Sequence, residues 1–109
     1  MSEPAVPSAG TPGFAGLDRL LHEPSRMSIV ALLYMLESAD FTFVMNQTGL
    51  TWGNLSSHLA KLEEAGYVAI EKGYKGKRPN TVLRLTPEGR KSFKEYVRSA
   101  RELYGNLPV

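Results

Sequence analysis

Six residues that can make hydrogen bonds, or let a backbone approach closely, lie within one short helical segment, residues 51–65. They are Thr51, Gly53, Asn54, Ser56, Ser57 and Lys61. An asparagine amide can pair with adenine in the major groove of DNA, and a serine hydroxyl can reach a base or a phosphate. Free backbone N–H groups at the start of the helix can hold a phosphate. The pattern predicts a helix that reads DNA bases with its N-terminal half.

The apolar residues of this segment define its other face. At 100° per residue, Leu55, Leu59 and Leu62 fall on one side and are expected to face the core. A polar face opposite them is also what an ordinary solvated helix has. DNA is favoured over that simpler interpretation because the outer residues are small hydrogen-bonding types instead of Glu–Lys pairs four apart, and because a basic segment follows directly.

That basic segment contains four cations, two glycines and no acidic residue between Lys72 and Arg78. Lys72, Lys75, Lys77 and Arg78 are predicted to contact the DNA backbone or minor groove as a wing over residues 72–80, although a solubilising hairpin has a similar composition. Residues 72–91 together have a net charge of +6, in a chain whose net charge is +2. Such a local concentration of cations indicates a polyanionic partner.

Two larger side chains of the same helix have alternative interpretations. His58 is a candidate phosphate contact, but packing at the rim of the core with a local hydrogen bond is the favoured interpretation. Trp52 is a candidate for stacking on bases or wedging between them. A tryptophan at a helix start more often covers the core, and that is the expectation here.

The composition excludes several classes of function. The length of 109 residues, with 42% hydrophobic and 22% charged residues, indicates one globular domain. Cysteine is absent and only His22 and His58 offer imidazoles, so no metal site is expected. No catalytic constellation or phosphate-cradling glycine loop is present, so neither an enzyme nor a cofactor is expected. Without an apolar run of membrane length or a signal-peptide pattern, a cytoplasmic protein is expected.

The elements that position these residues can be assigned from periodicity and caps. Residues 1–16, rich in Pro, Gly, Ala and Ser, are predicted to be a flexible tail, and residues 17–109 the folded domain. Helices are predicted at 17–21, 24–38 and 43–48, with a short strand at 40–42. Gly49 should end the third of these helices, and Thr51 should cap the next. Gly66 should end that helix in the same way as Gly49.

The second half of the chain predicts a hairpin and a final helix. Residues 67–71 and 81–85 alternate as strands should, with a loop over 74–80 between them. Thr86 should cap a helix over 87–104 with Pro87 at its first position. This helix carries an apolar stripe: Phe93, Tyr96, Val97, Ala100, Leu103 and Tyr104. We expect the stripe to form a homodimer seam, part of it being explained by packing on its own domain.

Two phrases resemble a known family. Leu55-Ser-Ser-His-Leu-Ala-Lys-Leu-Glu-Glu-Ala-Gly-Tyr-Val68 is followed at the family's spacing by Leu85-Thr-Pro-Glu-Gly-Arg90. In that order they resemble the small winged-helix transcriptional regulators of the MarR/ArsR type, over about residues 17–104. By position, Thr51, Asn54, Ser56, Ser57 and Lys61 match the family's recognition-helix residues, and Lys75, Lys77 and Arg78 match its wing.

The resemblance implies a cytoplasmic, homodimeric, DNA-binding regulator. The predicted fold is α+β, mainly α: a winged helix-turn-helix with a two-stranded antiparallel wing, or a three-stranded one with a strand near Phe41, and a C-terminal dimerisation helix. We expect a sequence-specific regulator, a repressor, on double-stranded DNA. The lack of cysteines argues against the metal sensing of ArsR-type proteins.

Two further expectations concern other partners. A small-molecule effector of unknown identity is one of them, and Met27, Tyr34, Met35, Tyr96 and Tyr104 could line its cleft, although they are expected to be plain core. The alternative function is a winged helix used for protein or RNA contact within a larger complex. That alternative predicts weak, unselective DNA binding and a conspicuous apolar surface.

Overall fold

A computed structural model describes residues 17–109, so the tail predicted for residues 1–16 lies outside the described residues. The helices are α1 (Pro24–Leu36), α2 (Phe41–Thr48), α3 (Trp52–Glu64) and α4 (Pro87–Gly105); the strands are β1 (Ser38–Asp40), β2 (Val68–Lys75) and β3 (Arg78–Leu85). The strands form an antiparallel sheet in the order β1-β3-β2. This is a winged helix, mainly helical, with the third strand joined to the wing, and it confirms the predicted fold class.

A single core holds these elements together. Leu55, Leu59 and Leu62 of α3 are at most 2% exposed, which confirms the predicted inner face of that helix. They pack with buried residues of the other helices and the sheet: Ile29, Val30, Leu33, Val44, Val68, Leu83, Leu85, Phe93 and Tyr96. Burying one such side chain contributes roughly 1.5–3 kcal/mol, so the core fixes the orientation of α3.

The segment before α1 differs from the prediction. Residues 17–21 form no helix but a single turn, in which the Asp18 carboxylate accepts hydrogen bonds from the backbone N–H groups of Leu20 and Leu21. The predicted short helix is therefore wrong, because the aspartate side chain competes for the N–H groups. Helix α1 ends at Leu36, two residues earlier than predicted, where Glu37 turns the chain with a φ of 69°.

The helix-turn-helix has the predicted caps but shifted boundaries. Gly49 ends α2 with a φ of 74°, and the Thr51 hydroxyl accepts the N–H of Asn54 at 3.1 Å. The minor strand lies at residues 38–40 instead of 40–42, because those residues pair with 82–84 of β3. Helix α2 consequently begins at Phe41, two residues before the predicted start.

The wing is a tighter hairpin than the predicted loop over 74–80. The ladder between β2 and β3 continues to the pair Lys75–Arg78, which leaves only Gly76 and Lys77 in the turn. Gly76 has a φ of 67°, the conformation that a type II′ hairpin turn needs at its first central residue. Pro79 is tolerated in β3 because it lies beyond the residues that β1 covers. The tight turn lets the strands project as a narrow ribbon.

The end of α3 and the start of α4 meet at a junction formed by residues 66–67 and 86–89. The N–H groups of Gly66 and Tyr67 bond back to the carbonyls of Glu63 and Leu62, both at 2.9 Å, as in a Schellman cap. The Thr86 hydroxyl donates to the Gly66 carbonyl at 2.6 Å and accepts the Gly89 N–H at 2.9 Å. The Thr86 N–H donates to the Tyr67 carbonyl at 3.0 Å. This junction fixes the angle between α3, the wing and α4.

Gly89 is the closest approach within the junction. A Cβ on this residue would overlap the Tyr67 carbonyl oxygen and lie 2.8 Å from Leu85 Cδ1. Backbone cannot yield as a flexible side chain does, so only glycine fits here. The Tyr67 side chain adds a further tie, since its phenol donates to Asp18 Oδ2 at 2.5 Å. Burial, with this hydrogen bond, raises the pKa of Tyr67, which keeps the phenol protonated as a donor.

We predict that Gly89→Ala lowers the free energy of unfolding by about 1–3 kcal/mol, the usual effect of overpacking. A loss of stability would identify the close contact, because replacing Gly by Ala inside a helix ordinarily raises the free energy of unfolding by up to about 1 kcal/mol. Gly53→Ala in α3 is the matched control: within the described part of the chain, its added Cβ has no atom within 4 Å beyond the adjoining helix backbone, so stability should be unchanged or raised. Urea titration followed by circular dichroism gives both values, and an equally stable Gly89→Ala protein would contradict the close contact.

Candidate nucleic-acid interface

The outer face of α3 is open to solvent along its N-terminal half. Gly53, Asn54, Ser57 and Lys61 are exposed, and Ser56 is half-buried. At 100° per residue, Asn54 and Lys61 lie on the side of α3 that faces away from the wing. Ser56 lies on the side that faces the wing. Among residues 17–109, no atom outside the adjoining backbone of α3 lies within 4 Å of a Cβ placed on Gly53. A large molecule can therefore approach the backbone of α3 closely at this point.

Thr51 has a structural task as well. Its hydroxyl oxygen caps α3 by accepting the N–H of Asn54, so that oxygen is already used as an acceptor. The remaining hydroxyl proton and the other free N–H groups of the first turn still point out of the helix end. Thr51 can therefore contribute to an anion contact through these donors while it holds the helix start in place.

The wing cations lie on different faces of the ribbon. Lys72 pairs with Thr81 on the face shared with Ile70, which is the face toward α3. Lys75 and Arg78 pair with each other on the opposite face, and Lys77 occupies the turn. All four are exposed. The wing therefore presents cations on both faces and at its tip.

Several charges of the basic segment are already paired within the chain. Arg84 forms a two-pronged ion pair with Glu71, at 2.6 and 3.1 Å, and its hydrogen bonds lower the pKa of the Glu71 carboxyl. Arg90 stacks over the Tyr34 ring, 4.5 Å from its centre. Lys75 lies 3.6 Å from Asp40. Within residues 17–109, Lys72, Lys77 and Arg78 make no ion pair, so the patch of free charge is smaller than the sequence suggests.

His58 is held against the start of α1. Its Nδ1 accepts a hydrogen bond from Arg26 at 3.2 Å and lies 4.0 Å from a Glu23 carboxylate oxygen. Because arginine can only donate, this bond needs the neutral imidazole. The histidine side chain is 20% exposed, which confirms the prediction that it packs at the rim of the core. The hydrogen bond from the Arg26 N–H is the largest of the causes that lower the pKa of Glu23.

Trp52 is not a core residue, and that prediction is wrong. Its side chain is 67% exposed and its ring lies 6.0 Å from the Phe41 ring at an angle of 47°. Trp52 lies about one helical turn before Leu55, the first of the three buried leucines of α3. Its ring therefore lies outside the part of the helix that these leucines bury. Trp52 therefore borders the polar face of the helix, and no local sequence pattern indicates that a large apolar group is exposed there.

The apolar stripe of α4 divides into two parts. Phe93 and Tyr96 are 9% and 6% exposed and belong to the core of their own domain, so the prediction that they form the dimer seam is wrong. Val97, Ala100 and Leu103 are half-buried, and Tyr104 is 54% exposed. Only the C-terminal part of the stripe is available to a partner, because α4 extends past the elements that cover its first half.

The residues suggested for an effector cleft are also divided. Tyr96 is buried and Tyr34 half-buried, but Met27, Met35 and Tyr104 are 36%, 72% and 54% exposed. The expectation that all five form plain core is therefore wrong. In residues 17–109 no three His, Asp or Glu side chains cluster in a way that could hold a metal ion. No helix in the same range has the length and apolarity needed to cross a membrane.

Comparison with known proteins gives the family. Residues 25–104 match the family model described as a winged helix DNA-binding domain. An uncharacterized protein of Methanocaldococcus jannaschii is 37% identical over 89 residues, covering 82% of this chain and 97% of that protein. A transcriptional regulator homologue from Pyrococcus horikoshii has a similar structure, with a TM-score of 0.79, 30% identity, and coverage of 84% of this chain and 91% of that one.

A more distant likeness extends the comparison. A MarR-family transcriptional regulator from Silicibacter pomeroyi aligns with a TM-score of 0.61 over 82% of this chain and 62% of that one. At 20% identity it shares the fold. These matches confirm the resemblance that the two sequence phrases carry. The chain belongs to the winged helix DNA-binding domain family, with the architecture of a MarR-type regulator.

Proposed function

We propose that the protein is a sequence-specific transcriptional regulator, a repressor, that binds double-stranded DNA as a homodimer in the cytoplasm. In each protomer α3 lies in the major groove and the wing, residues 72–80, lies along the adjacent backbone or minor groove. The observation that carries the proposal is the groove shared by α3 and the wing. A polar helix and a cationic ribbon on the two sides of one groove can approach a duplex together.

The residues divide into two roles in this proposal. Asn54 and Ser57, exposed on the first two turns of α3, are placed to contact base edges, since recognition helices read with their N-terminal residues. Thr51, Gly53 and Ser56 frame that contact with hydroxyl and backbone donors. The phosphate contacts come from cations: Lys61 on the helix and Lys72, Lys75, Lys77 and Arg78 on the wing. These cations supply affinity that depends on salt but not on sequence.

The C-terminal part of α4 is the proposed dimer seam. Val97, Ala100, Leu103 and Tyr104 form a partly exposed apolar strip at the end of a 19-residue helix. Covering such a strip with its own copy around a two-fold axis would place two α3 helices side by side. A dimer of this kind favours a palindromic site and represses by occupying a promoter.

A small-molecule effector would bind beside α4. Two hollows of about 780 and 380 Å³ flank this helix, the first beside Tyr34 and the second beside Met27 and Tyr104. Each is lined by aromatic or apolar groups together with charged residues, a mixture that suits a small organic anion or aromatic compound. A ligand that binds better to one arrangement of the dimer would shift the spacing of the two reading helices.

One observation favours the alternative function, a winged helix for protein or RNA contact. Trp52, Tyr74 and Met35 are 67%, 77% and 72% exposed, and exposed aromatic and sulfur side chains are common at protein interfaces. The two functions differ in their DNA binding. Weak binding without any preferred sequence would favour the protein or RNA module over the regulator.

Substitutions in α3 and in the wing separate the two roles on DNA. Asn54→Ala should reduce the discrimination between a preferred and an altered site by about 5- to 100-fold, the effect of removing one bidentate base contact. Lys77→Ala with Arg78→Ala should weaken binding to all duplexes alike and reduce the salt-dependence slope by about 0.9 for each phosphate that is no longer neutralised. Fluorescence anisotropy with labelled duplexes at several salt concentrations measures both effects.

A double change elsewhere on the chain controls for net charge. Lys91→Ala with Lys94→Ala removes two exposed cations from α4, so it should leave the preference unchanged and alter the slope much less. If the wing variant retained both its affinity and its salt slope, the wing would not be the phosphate contact. An unchanged preference in Asn54→Ala would remove the role given to that residue.

A charge placed on the α4 strip tests the dimer. Tyr104→Glu alters the exposed end of the strip and should convert the dimer to monomers at micromolar concentration, because a buried unpaired charge is strongly unfavourable. Tyr74→Glu is the matched control, since the same change on the wing should leave the dimer intact. Sedimentation velocity measures both, and a monomeric unmodified protein at the same concentration would contradict the proposed homodimer.

A further inference from the structure

A groove of about 470 Å³ separates α3 from the wing. The α3 wall contributes Trp52, Ser56 and Glu63, the wing contributes Lys72, and Phe41 closes one end. The DNA-binding roles proposed above use the outer face of α3 and the cations of the wing. They assign no role to the apolar wall of this groove. Its most exposed large apolar side chain is Trp52, whose indole is 67% exposed and lies outside the core.

The two ends of the groove differ in charge. Trp52 and Glu63 are eleven residues apart on α3, about 16 Å along the helix axis. Lys72 lies at the Trp52 end: it pairs across the hairpin with Thr81, and the neighbouring Asn80 contacts Asp40, the residue before Phe41. The Asp40 carboxylate is held on the opposite face of the hairpin, by Lys75 at 3.6 Å and by Asn80 at 3.4 Å, and it does not line the groove. This end therefore combines two aromatic rings with one free ammonium group.

The geometry of a duplex identifies the occupant. The major and minor grooves of DNA are separated by one sugar–phosphate strand. A helix in the major groove and a wing in the flanking minor groove therefore lie on the two sides of that strand, and the hollow between them faces it. A deoxyribose presents an apolar C–H surface and the adjoining phosphate is an anion. These match the aromatic pair and the Lys72 ammonium group, while Glu63 disfavours phosphate at the far end.

We propose that the groove between α3 and the wing seats the sugar–phosphate strand, with Trp52 and Phe41 packed on a deoxyribose and Lys72 paired with the adjoining phosphate. The inference rests on the proposed function, because it assumes that both elements approach one duplex. Trp52 is then a positioning residue. It contacts DNA without reading sequence, and it sets the depth at which Asn54 enters the major groove.

The chain contains a single tryptophan, so intrinsic fluorescence reports this contact directly. Adding duplex DNA to the full chain should shift the emission to shorter wavelength, since the indole leaves water. Trp52→Ala should weaken binding by about fivefold or more, the level expected for an aromatic anchor, by the same factor on preferred and random duplexes. Its salt slope should not change, because no counterion is released by an apolar contact.

Three variants make the test specific. Trp52→Phe keeps a ring and should restore most of the affinity. Lys72→Ala should instead lower the salt slope by about 0.9. Met35→Ala removes a side chain of similar exposure from α1, outside the groove, and should leave the DNA affinity and its salt slope unchanged. Urea titrations of Trp52→Ala check that the fold is kept, as the exposure of the residue predicts.

The outcomes separate this inference from the proposed function. Suppose that Trp52→Ala binds a preferred site as tightly as the unmodified protein does, and that DNA does not shift the emission of the unmodified protein. This result would overturn only the proposal that the groove seats the sugar–phosphate strand. A weakening confined to certain sequences, and abolished when thymine is replaced by uracil, would make Trp52 a base reader and overturn it too. A uniform weakening in a protein without any preferred site would support the seat and refute the sequence-specific regulator. No DNA binding at all would overturn both.

Discussion

The relative positions of α3, the β2–β3 hairpin and α4 depend on the junction between residues 66–67 and 86–89. Here one threonine, Thr86, donates its hydroxyl to the carbonyl of Gly66, just after α3, and its N–H to the carbonyl of Tyr67, just before β2, and it also caps α4. Gly89 allows the contact because a larger residue would collide with the Tyr67 carbonyl. These hydrogen bonds, together with the close contact at Gly89, restrict the rotation of α3, β2 and α4 relative to one another.

This constraint links the proposed dimer to the proposed reading of DNA. Since α4 starts at the same point where α3 ends, a change in the angle between two α4 helices of a dimer would turn both α3 helices by a similar amount. Each protomer would supply one rigid reading head, in which Asn54 and Ser57 face bases while Lys72, Lys77 and Arg78 face phosphates. Sequence preference and salt-dependent affinity then belong to different residues and can be changed separately.

Structure that depends on a few neighbouring residues was predictable from the sequence, whereas contacts between segments distant in the chain were not. The caps at Gly49, Thr51, Gly66 and Thr86 follow from residue types that favour those conformations within a few residues of chain, and the leucines of α3 follow from helical periodicity. The close approach at Gly89 depends on Tyr67, twenty-two residues earlier, which no local pattern indicates. The exposed Trp52, the buried Phe93 and Tyr96, and the pairing of Arg84 with Glu71 likewise depend on which elements happen to lie opposite. The assignment of individual residues to bases and phosphates stays a prediction until binding is measured.

Selection of binding sites from randomised duplex DNA tests most directly whether each protomer is a reading head held in a symmetric pair. The protein should enrich a palindrome whose half-sites are centred about one helical turn, roughly 34–36 Å, apart. The most strongly selected base pairs should lose their preference in Asn54→Ala. A pool that shows no enrichment after repeated rounds, under salt conditions in which the protein binds DNA, would contradict the assignment of α3 as a sequence-reading helix.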